Sequence, residues 1–300
     1  AVVADLLFIG HLPGPMVAPA HRVRISGGQF GQVIIDGDST DIVLDGVVIN
    51  NGVVSANARS GTGLYGAAAE GTSAIDRLAV VNSIIRMVAT VPDGSGNTDG
   101  CAFLGGGFTN VFFANNNIVT AGNRNAWGFR ISGGSNYVFV DNSVRVSFHK
   151  LIRMNDGPVD YVYVKGGTWM REATLTAGGM ELNDSFQQLG DLGTDNIFIH
   201  DPAVHLLSTE TVGFGASFGP GQIGKAWQAR NIQWFAASEA VISDAVLGQY
   251  QAACAAGATC DYGLGTHTYQ YDPNLAFPAN PWRALPAIET DDPDALPTVP

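Results

Sequence analysis

The chain has 300 residues, of which 46% are hydrophobic, only 14% are charged and 38 are glycine. That is too apolar for a disordered polypeptide and rich in turn formers. The formal net charge of −12 argues against nucleic acid or an anionic membrane as the general partner, and no run of about 18 apolar residues predicts a membrane-spanning helix.

Residues 1–9 (AVVADLLFI) are apolar but lack a basic leading region and a plausible cleavage site downstream, so they read as a first strand or cap. Any secretion signal would already have been removed. From residue 41 a nine-residue pattern recurs: a polar residue, apolar residues, a small or amide-rich turn, and usually another β-former. Its copies are 41–49 (DIVLDGVVI), 77–85 (RLAVVNSII), 110–118 (NVFFANNNI), 136–144 (NYVFVDNSV), 160–168 (DYVYVKGGT), 196–204 (NIFIHDPAV) and, more weakly, 231–239 (NIQWFAASE). Repeats of this kind imply a solenoid, in which each unit buries its apolar face by stacking on its neighbours. The copies start 24 to 36 residues apart, and this irregularity favours a β-solenoid with variable loops over a propeller with matched blades. Val, Ile, Phe, Tyr and Thr dominate, and Gly and Asn interrupt every few residues, which excludes helical repeats. Asn115, Asn116, Asn117, Asp141 and Asn142 fall at the turns, where Asn and Asp tolerate left-handed backbone.

A second family of strands precedes the repeat: 22–28 (RVRISGG), 128–134 (GFRISGG), 151–157 (LIRMNDG) and 179–185 (GMELNDS), with 63–67 (GLYGA) and 101–105 (CAFLG) as looser members. Cys254 and Cys260 enclose a short loop that would close as a disulfide in an oxidising compartment; the alternative is two small buried thiols, and Cys101 stands alone near a strand. Beyond residue 204 the rhythm changes. Residues 213–224 read as a loop, 238–256 have helical spacings that would cap the open end, and the Pro- and Asp-rich tail from 271 is expected to lie extended on the body or to be partly disordered. The organisation is therefore a solenoid over 1–245, with 246–300 as cap and tail of the same domain.

With these strands and turns, residues 20–245 resemble the right-handed parallel β-helix, or pectate-lyase-like, superfamily. The resemblance implies an all-β, right-handed parallel β-helix in a secreted, carbohydrate-active protein. Its members include polysaccharide lyases, polygalacturonase-like hydrolases, pectin esterases and phage tailspikes, so the fold alone does not select an activity.

Strand alternation locates the face on which chemistry would sit. With Val23/Ile25, Ala102/Leu104, Phe129/Ile131, Ile152/Met154 and Met180/Leu182 pointing inward, Arg24, Phe103, Arg130, Arg153 and Glu181 form an outward column, with Tyr65 between the first two. Neighbouring guanidinium groups repel unless an anion joins them, and a uronate carboxylate fits the planar fork of arginine. The plainer alternative is a surface ladder pair in which Glu181 neutralises Arg153. Tyr65, Phe103, Trp127 and Trp169 are candidates for stacking on sugar faces, and each is equally a candidate for packing. Loops 50–62, 86–99 and 169–178 enter the same face as walls.

A lyase needs a base for the proton next to the carboxylate and a cation for the developing enolate. Arg130, Arg153 and Lys150 are the cations, and His149 or one of the arginines is the candidate base. Residues 97–100 (NTDG) resemble the tetrapeptide that opens the active-site region of polygalacturonase-type hydrolases, which implies a catalytic Asp99. The acidic pair, Gly-His-Gly and Arg-x-Lys of that family have no match here: 122–128 read GNRNAWG, and only His149 corresponds in part. Asp93, Asp99, Asp156, Asp184 and Asp191 are oxygen donors without a fixed spacing, so no cofactor is expected and calcium is the only metal they suggest.

The sequence thus predicts a polysaccharide lyase on a uronate-containing glycan. The alternatives are a glycoside hydrolase using Asp99 with Glu181 or Asp184, or a non-catalytic glycan-binding or tailspike-like homo-oligomer.

Overall fold

The computed structural model describes residues 3–10, 19–35, 38–51, 63–66, 75–89, 100–104, 108–122, 127–131, 133–146, 151–154, 159–171, 186–188, 195–206, 226–252 and 259–275. Over these residues the chain is all-β apart from one helix, with long, all-parallel sheets that suit a parallel β-solenoid.

Each nonapeptide folds as a strand, a sharp corner and a second strand, and the corners separate two faces. Face 1, before the corner, comprises β2 (His21–Ser26), β4 (Thr40–Asp45), β7 (Ile75–Val81), β10 (Phe108–Ala114), β13 (Gly134–Val140), β16 (Val159–Lys165), β19 (Asp195–His200), β21 (Ala226–Arg230) and β23 (Thr259–Asp261), paired in that order. Face 2, after the corner, comprises β5 (Val48–Asn51), β8 (Ile84–Ala89), β11 (Asn117–Gly122), β14 (Ser143–Val146), β17 (Thr168–Arg171), β20 (Ala203–Leu206), β22 (Gln233–Ala236) and β24 (Thr268–Tyr271). Face 3, which precedes each nonapeptide, comprises β6 (Leu64–Gly66), β9 (Gly100–Leu104), β12 (Trp127–Ile131), β15 (Ile152–Met154) and β18 (Phe186–Gln188). Strand β3 (Gln29–Ile35) joins faces 2 and 3: Gln29 and Phe30 pair with β5, and Val33 to Ile35 pair with β6. Strand β1 (Val3–Ile9) lies beside β3, as a first strand.

The corners explain the amide-rich turns. Gly27, Gly46, Asn82, Asn115, Asp141, Gly166, Asp201 and Asn231 all have positive φ, between 50° and 71°. The N–H of each corner residue from Gly27 to Asp201 donates to a carbonyl of the following rung, as in Asn82 to Ala114 at 3.1 Å and Gly166 to His200 at 2.8 Å. Asn and Asp supply this left-handed step at a lower penalty than branched residues do.

A second positive-φ column marks the first residue of each repeat: Arg22, Asp41, Arg77, Asn110, Asn136, Tyr161 and Asn196. It corrects the sequence reading three times. The segment 22–30 (RVRISGGQF) is itself a copy of the nonapeptide, not a face 3 strand. The fifth copy starts at Tyr161 rather than Asp160, since Val162 pairs with Tyr137. Asn231 is a corner, because Trp227 is the residue opposite Ile197, so the repeat there runs from 226 to 234.

Inward side chains of the three faces merge into one core, with the ring cluster Phe113, Phe129, Phe139 and Trp169 at its centre. Just inside the corners runs a buried amide ladder. Asn142 Oδ1 accepts from Asn116 N–H at 3.1 Å and from Asn116 Nδ2 at 2.9 Å, while Asn142 Nδ2 donates to the Phe113 carbonyl at 2.9 Å. Asn116 in turn receives the Ser83 N–H at 2.9 Å, and Ser83 Oγ receives the Val47 N–H at 3.1 Å. The ladder satisfies backbone groups that the corners leave without sheet partners.

Helix α1 (Asp244–Ala252) is shorter than the helical pattern over 238–256. Its Val246 and Leu247 are buried in the core, and β23 and β24 add a further pair of strands after it. The stack therefore continues to Tyr271, past the boundary expected at 245/246. Cys260 is disulfide-bonded; Cys254, its expected partner, lies outside the described residues. Cys101 is a free, buried thiol that donates toward the Val119 carbonyl at 3.2 Å, and burial pushes its pKa up to about 12, which leaves it unreactive.

Arg77 grips Asp41 with two nitrogens, Nε to Oδ1 and Nη2 to Oδ2 at 2.8 Å, while Nη1 reaches Asp76 at 2.7 Å. The hydrogen bond from Arg77 holds the Asp41 carboxyl below its usual range against the opposing effect of burial. A depressed carboxyl pKa stabilises the fold above the unfolded value near 4, and that stability is lost as pH falls through the folded value. Arg77→Gln is therefore expected to lower stability at pH 7 and to flatten the decline below about pH 4. Because the guanidinium is partly exposed, the effect is about 1 kcal/mol or less. Urea unfolding at pH 7 and pH 3 checks this; an equal loss at both would contradict it.

Candidate functional site

Of the outward column foreseen on face 3, Tyr65, Phe103, Arg130 and Arg153 stand in one backbone register. Ile34 pairs with Tyr65, Tyr65 with Phe103, Phe103 with Arg130, Arg130 with Arg153, and Arg153 with Gln187. The flanking residues Leu64, Ala102, Leu104, Phe129, Ile131 and Ile152 are all buried, so the column's backbone positions alternate with inward-facing ones. Arg130 itself is partly exposed. Parallel strands lie about 4.8 Å apart, so Arg130 and Arg153 bring two cationic residues to adjacent rungs, with aromatic residues on the two preceding rungs.

The local sequence explains how β12 presents Arg130. Phe129 is fixed in the core ring cluster, and its N–H donates to the Leu151 carbonyl at 3.0 Å, tying β12 to the segment that opens β15. Gly128 permits this approach: a Cβ there would stand 2.6 Å from the Leu151 carbonyl oxygen and 2.9 Å from Val144 Cγ1. Gly128→Ala is expected to destabilise the protein by about 1–3 kcal/mol by pushing β12 off its neighbours, and to weaken any ligand binding at Arg130. Urea unfolding would show it, and a loss under 0.5 kcal/mol, within the ordinary scatter of surface changes, would contradict it.

Two of the expected site residues are placed elsewhere. Arg24 lies on β2 in face 1, opposite Val43, and pairs with Asp45 at 2.8 Å, so it is no part of the column. Trp169 is fully buried, its Nε1 donating to the Gly166 carbonyl at 3.1 Å, and cannot stack on a sugar. It is the ninth residue of the repeat that starts at Tyr161, equivalent to the buried Ile49, Ile85, Ile118 and Val144. The register position after Arg153, where Glu181 was expected, is held by Gln187.

Trp127 is the first residue of β12, and its backbone position falls on the same side as Phe129 and Ile131 rather than with Arg130. Asp99, His149, Lys150 and Glu181 lie outside the described residues, as do Asp93, Asp156, Asp184 and Asp191. Along the chain Asp99 immediately precedes β9, and His149 and Lys150 come shortly before β15. Along the chain, segments 52–62, 90–99 and 172–185 join a face 2 strand to a face 3 strand, and the loops expected as walls, 50–62, 86–99 and 169–178, lie mostly in these segments, outside the described residues. Among the described residues no group of three His, Cys, Asp or Glu is arranged to hold a metal ion.

Sequence reasoning passed over a ring patch on the outer side of face 1. Tyr161 and Phe198 are 5.3 Å apart, Tyr163 and His200 are 5.5 Å apart, and the His200 Nε2 and Gln228 Oε1 are hydrogen-bonded at 2.9 Å. On face 2 the His205 ring stacks on Phe235 at 4.2 Å and 3°, and burial lowers its pKa, favouring the neutral imidazole. Positions 1, 3 and 5 of the corrected repeat would have located the first patch.

No protein-family model, no curated protein and no solved structure matches the chain.

Proposed function

We propose that this protein is a right-handed parallel β-helix of the pectate-lyase-like kind that grips a uronate-containing polysaccharide along face 3 and cleaves it by β-elimination. The observation that carries this reading is the in-register pairing of Arg130 with Arg153 beside Phe103 and Tyr65 on one sheet. Two guanidinium groups one rung apart favour a bound anion between them, and a uronate carboxylate presents the matching geometry. Aromatic residues on the preceding rungs suit the apolar faces of neighbouring sugars. In this reading the arginines offset the charge that develops as the proton next to the carboxylate is removed. His149 is the proposed base, and Lys150 a further cation. The alternative, hydrolysis by Asp99 with Glu181 or Asp184, draws on residues outside the described ones, and Gln187 holds the register position where Glu181 was expected.

The test is incubation with polygalacturonate, alginate, glycosaminoglycans and neutral glucans, following both ultraviolet-absorbing unsaturated ends and new reducing ends. Unsaturated ends from one acidic polymer, reduced at least tenfold by Arg130→Ala, are expected. Reducing ends without the absorbance would establish a hydrolase. Retention of the polymer without cleavage would leave a binding protein, and no interaction with any acidic polymer would overturn the reading.

A further inference from the structure

The ring patch on the outer side of face 1 interrupts two columns of the repeat. Position 1 holds Asn110, Asn136, Tyr161 and Asn196 on successive rungs, all in left-handed backbone, with Tyr161 at a φ of 61°. Asparagine adopts that conformation readily, whereas a bulky ring there is an outlier. The rungs on either side show that asparagine serves the fold, so the tyrosine adds strain without a structural need, and strain of this kind concentrates at functional sites. Position 3 changes character at the same place. Val43, Ala79, Phe112 and Val138 are at most 9% exposed, but Tyr163 and Phe198, next in register, are partly exposed, so solvent reaches the column at the rings.

Four rings follow one another across the patch: Tyr161 lies 5.3 Å from Phe198, Phe198 6.2 Å from His200, and His200 5.5 Å from Tyr163. Along the corner side runs a polar rim whose charges are paired. Lys165 Nζ donates to Asp201, which also accepts from Asn231 Nδ2 at 3.0 Å, and Arg230 Nη2 donates to Asp261. These two ion pairs keep 37% to 45% of their side-chain surface exposed. Such a rim sets donors beside acceptors with no net charge, which complements neighbouring sugar hydroxyls, each able to donate and to accept. The rings supply apolar surface for the C–H face of a sugar, and ligand sites combine aromatic walls with a few placed polar groups in this way. On the opposite side the exposed Asp160, which accepts from Asn196 Nδ2 at 3.1 Å, adds a negative charge that repels an acidic polymer. Face 3, with Arg130 beside Arg153, has the contrary charge.

We propose that Tyr161, Tyr163, Phe198 and His200 form a glycan-binding site separate from face 3, which takes a neutral polysaccharide on the outer side of face 1 and holds its hydroxyl groups on the Lys165–Asp201 and Arg230–Asp261 pairs. The site shares no residue with the face 3 column and is independent of the activity proposed there.

Affinity electrophoresis of the full chain in gels containing mixed-linkage β-glucan, galactomannan or arabinoxylan tests it. At least one polymer is expected to retard the protein, and Tyr161→Asn and Phe198→Ala are each expected to weaken the apparent affinity about fivefold. Tyr161→Asn is also expected to leave the thermal unfolding midpoint unchanged or higher, because asparagine suits the left-handed backbone better. A lower midpoint would mark Tyr161 as a packing residue and overturn the proposal, as would retardation by none of the polymers or equal retardation of both variants. An excess of a short oligogalacturonate is expected to leave the retardation unchanged; its abolition would move the neutral polymer to face 3 and overturn the site. Self-association of the full chain that Phe198→Ala abolishes would assign the rings to an interface between copies instead.

Discussion

Asn142→Ala is expected to destabilise the protein by about 3 kcal/mol, far beyond a surface amide. The substitution strips the acceptor from the Asn116 N–H and the donor from the Phe113 carbonyl, both inside the wall of the solenoid. Each buried polar group left without a partner costs about 1–3 kcal/mol. Asn142→Ser is the informative control, since Ser83 already plays the acceptor role for the Val47 N–H in the same corner column. The serine variant is expected to recover about half of the loss, because its hydroxyl replaces one of the bonds but is too short to span both rungs. Urea unfolding measures the difference, and hydrogen exchange at the Asn116 amide reports whether the loss is local, as repeat arrays allow. A loss below 1 kcal/mol would mean that the ladder is not a structural element.

Phe129→Ala is expected to cost about 3–5 kcal/mol, the range for deleting a buried phenylalanine. The ring lies 4.6 Å from Phe139, 5.1 Å from Phe113 and 6.2 Å from Trp169, so its removal opens a void where all three faces meet. Phe129→Leu keeps much of the volume and should cost less than about 1.5 kcal/mol. The pair also separates scaffold from site. Phe129 precedes Arg130 on β12, so the alanine variant should loosen any hold on an acidic polymer, while the leucine variant should retain it. Equal binding by both, at a concentration where both remain folded, would show that Arg130 does not depend on core packing for its position.

Much of the scaffold was legible in the chain itself. The repeat exposed the strand-corner-strand unit because its amide-rich turns require left-handed backbone and its apolar alternation requires one buried side. The column through Tyr65, Phe103, Arg130 and Arg153 followed from the same alternation, and its register stands in the sheet. The errors arose where local sequence is ambiguous. The fifth repeat begins with two eligible residues, Asp160 and Tyr161, and a shift of one moved Trp169 from a core position to a loop. A single-residue slip reverses the side to which every residue of a strand is assigned.

The pentapeptide RISGG marks the limit most clearly. It occurs at 24–28 and at 130–134, and in both places it opens with strand residues and ends on two glycines of positive φ. Yet Arg24 lies on face 1, bonded to Asp45, while Arg130 lies on face 3 beside Arg153. Strand and turn formation depend on the conformational preferences of a few adjacent residues, and these the chain determines unaided. The face that a strand joins depends on parallel pairing with rungs 20 to 40 residues away, as in Val43 with Ala79 and Phe103 with Arg130. That pairing is decided by the packing of the whole stack, so only the tertiary structure could separate the two arginines, bury Trp169 and place Gln187 where an acid was expected.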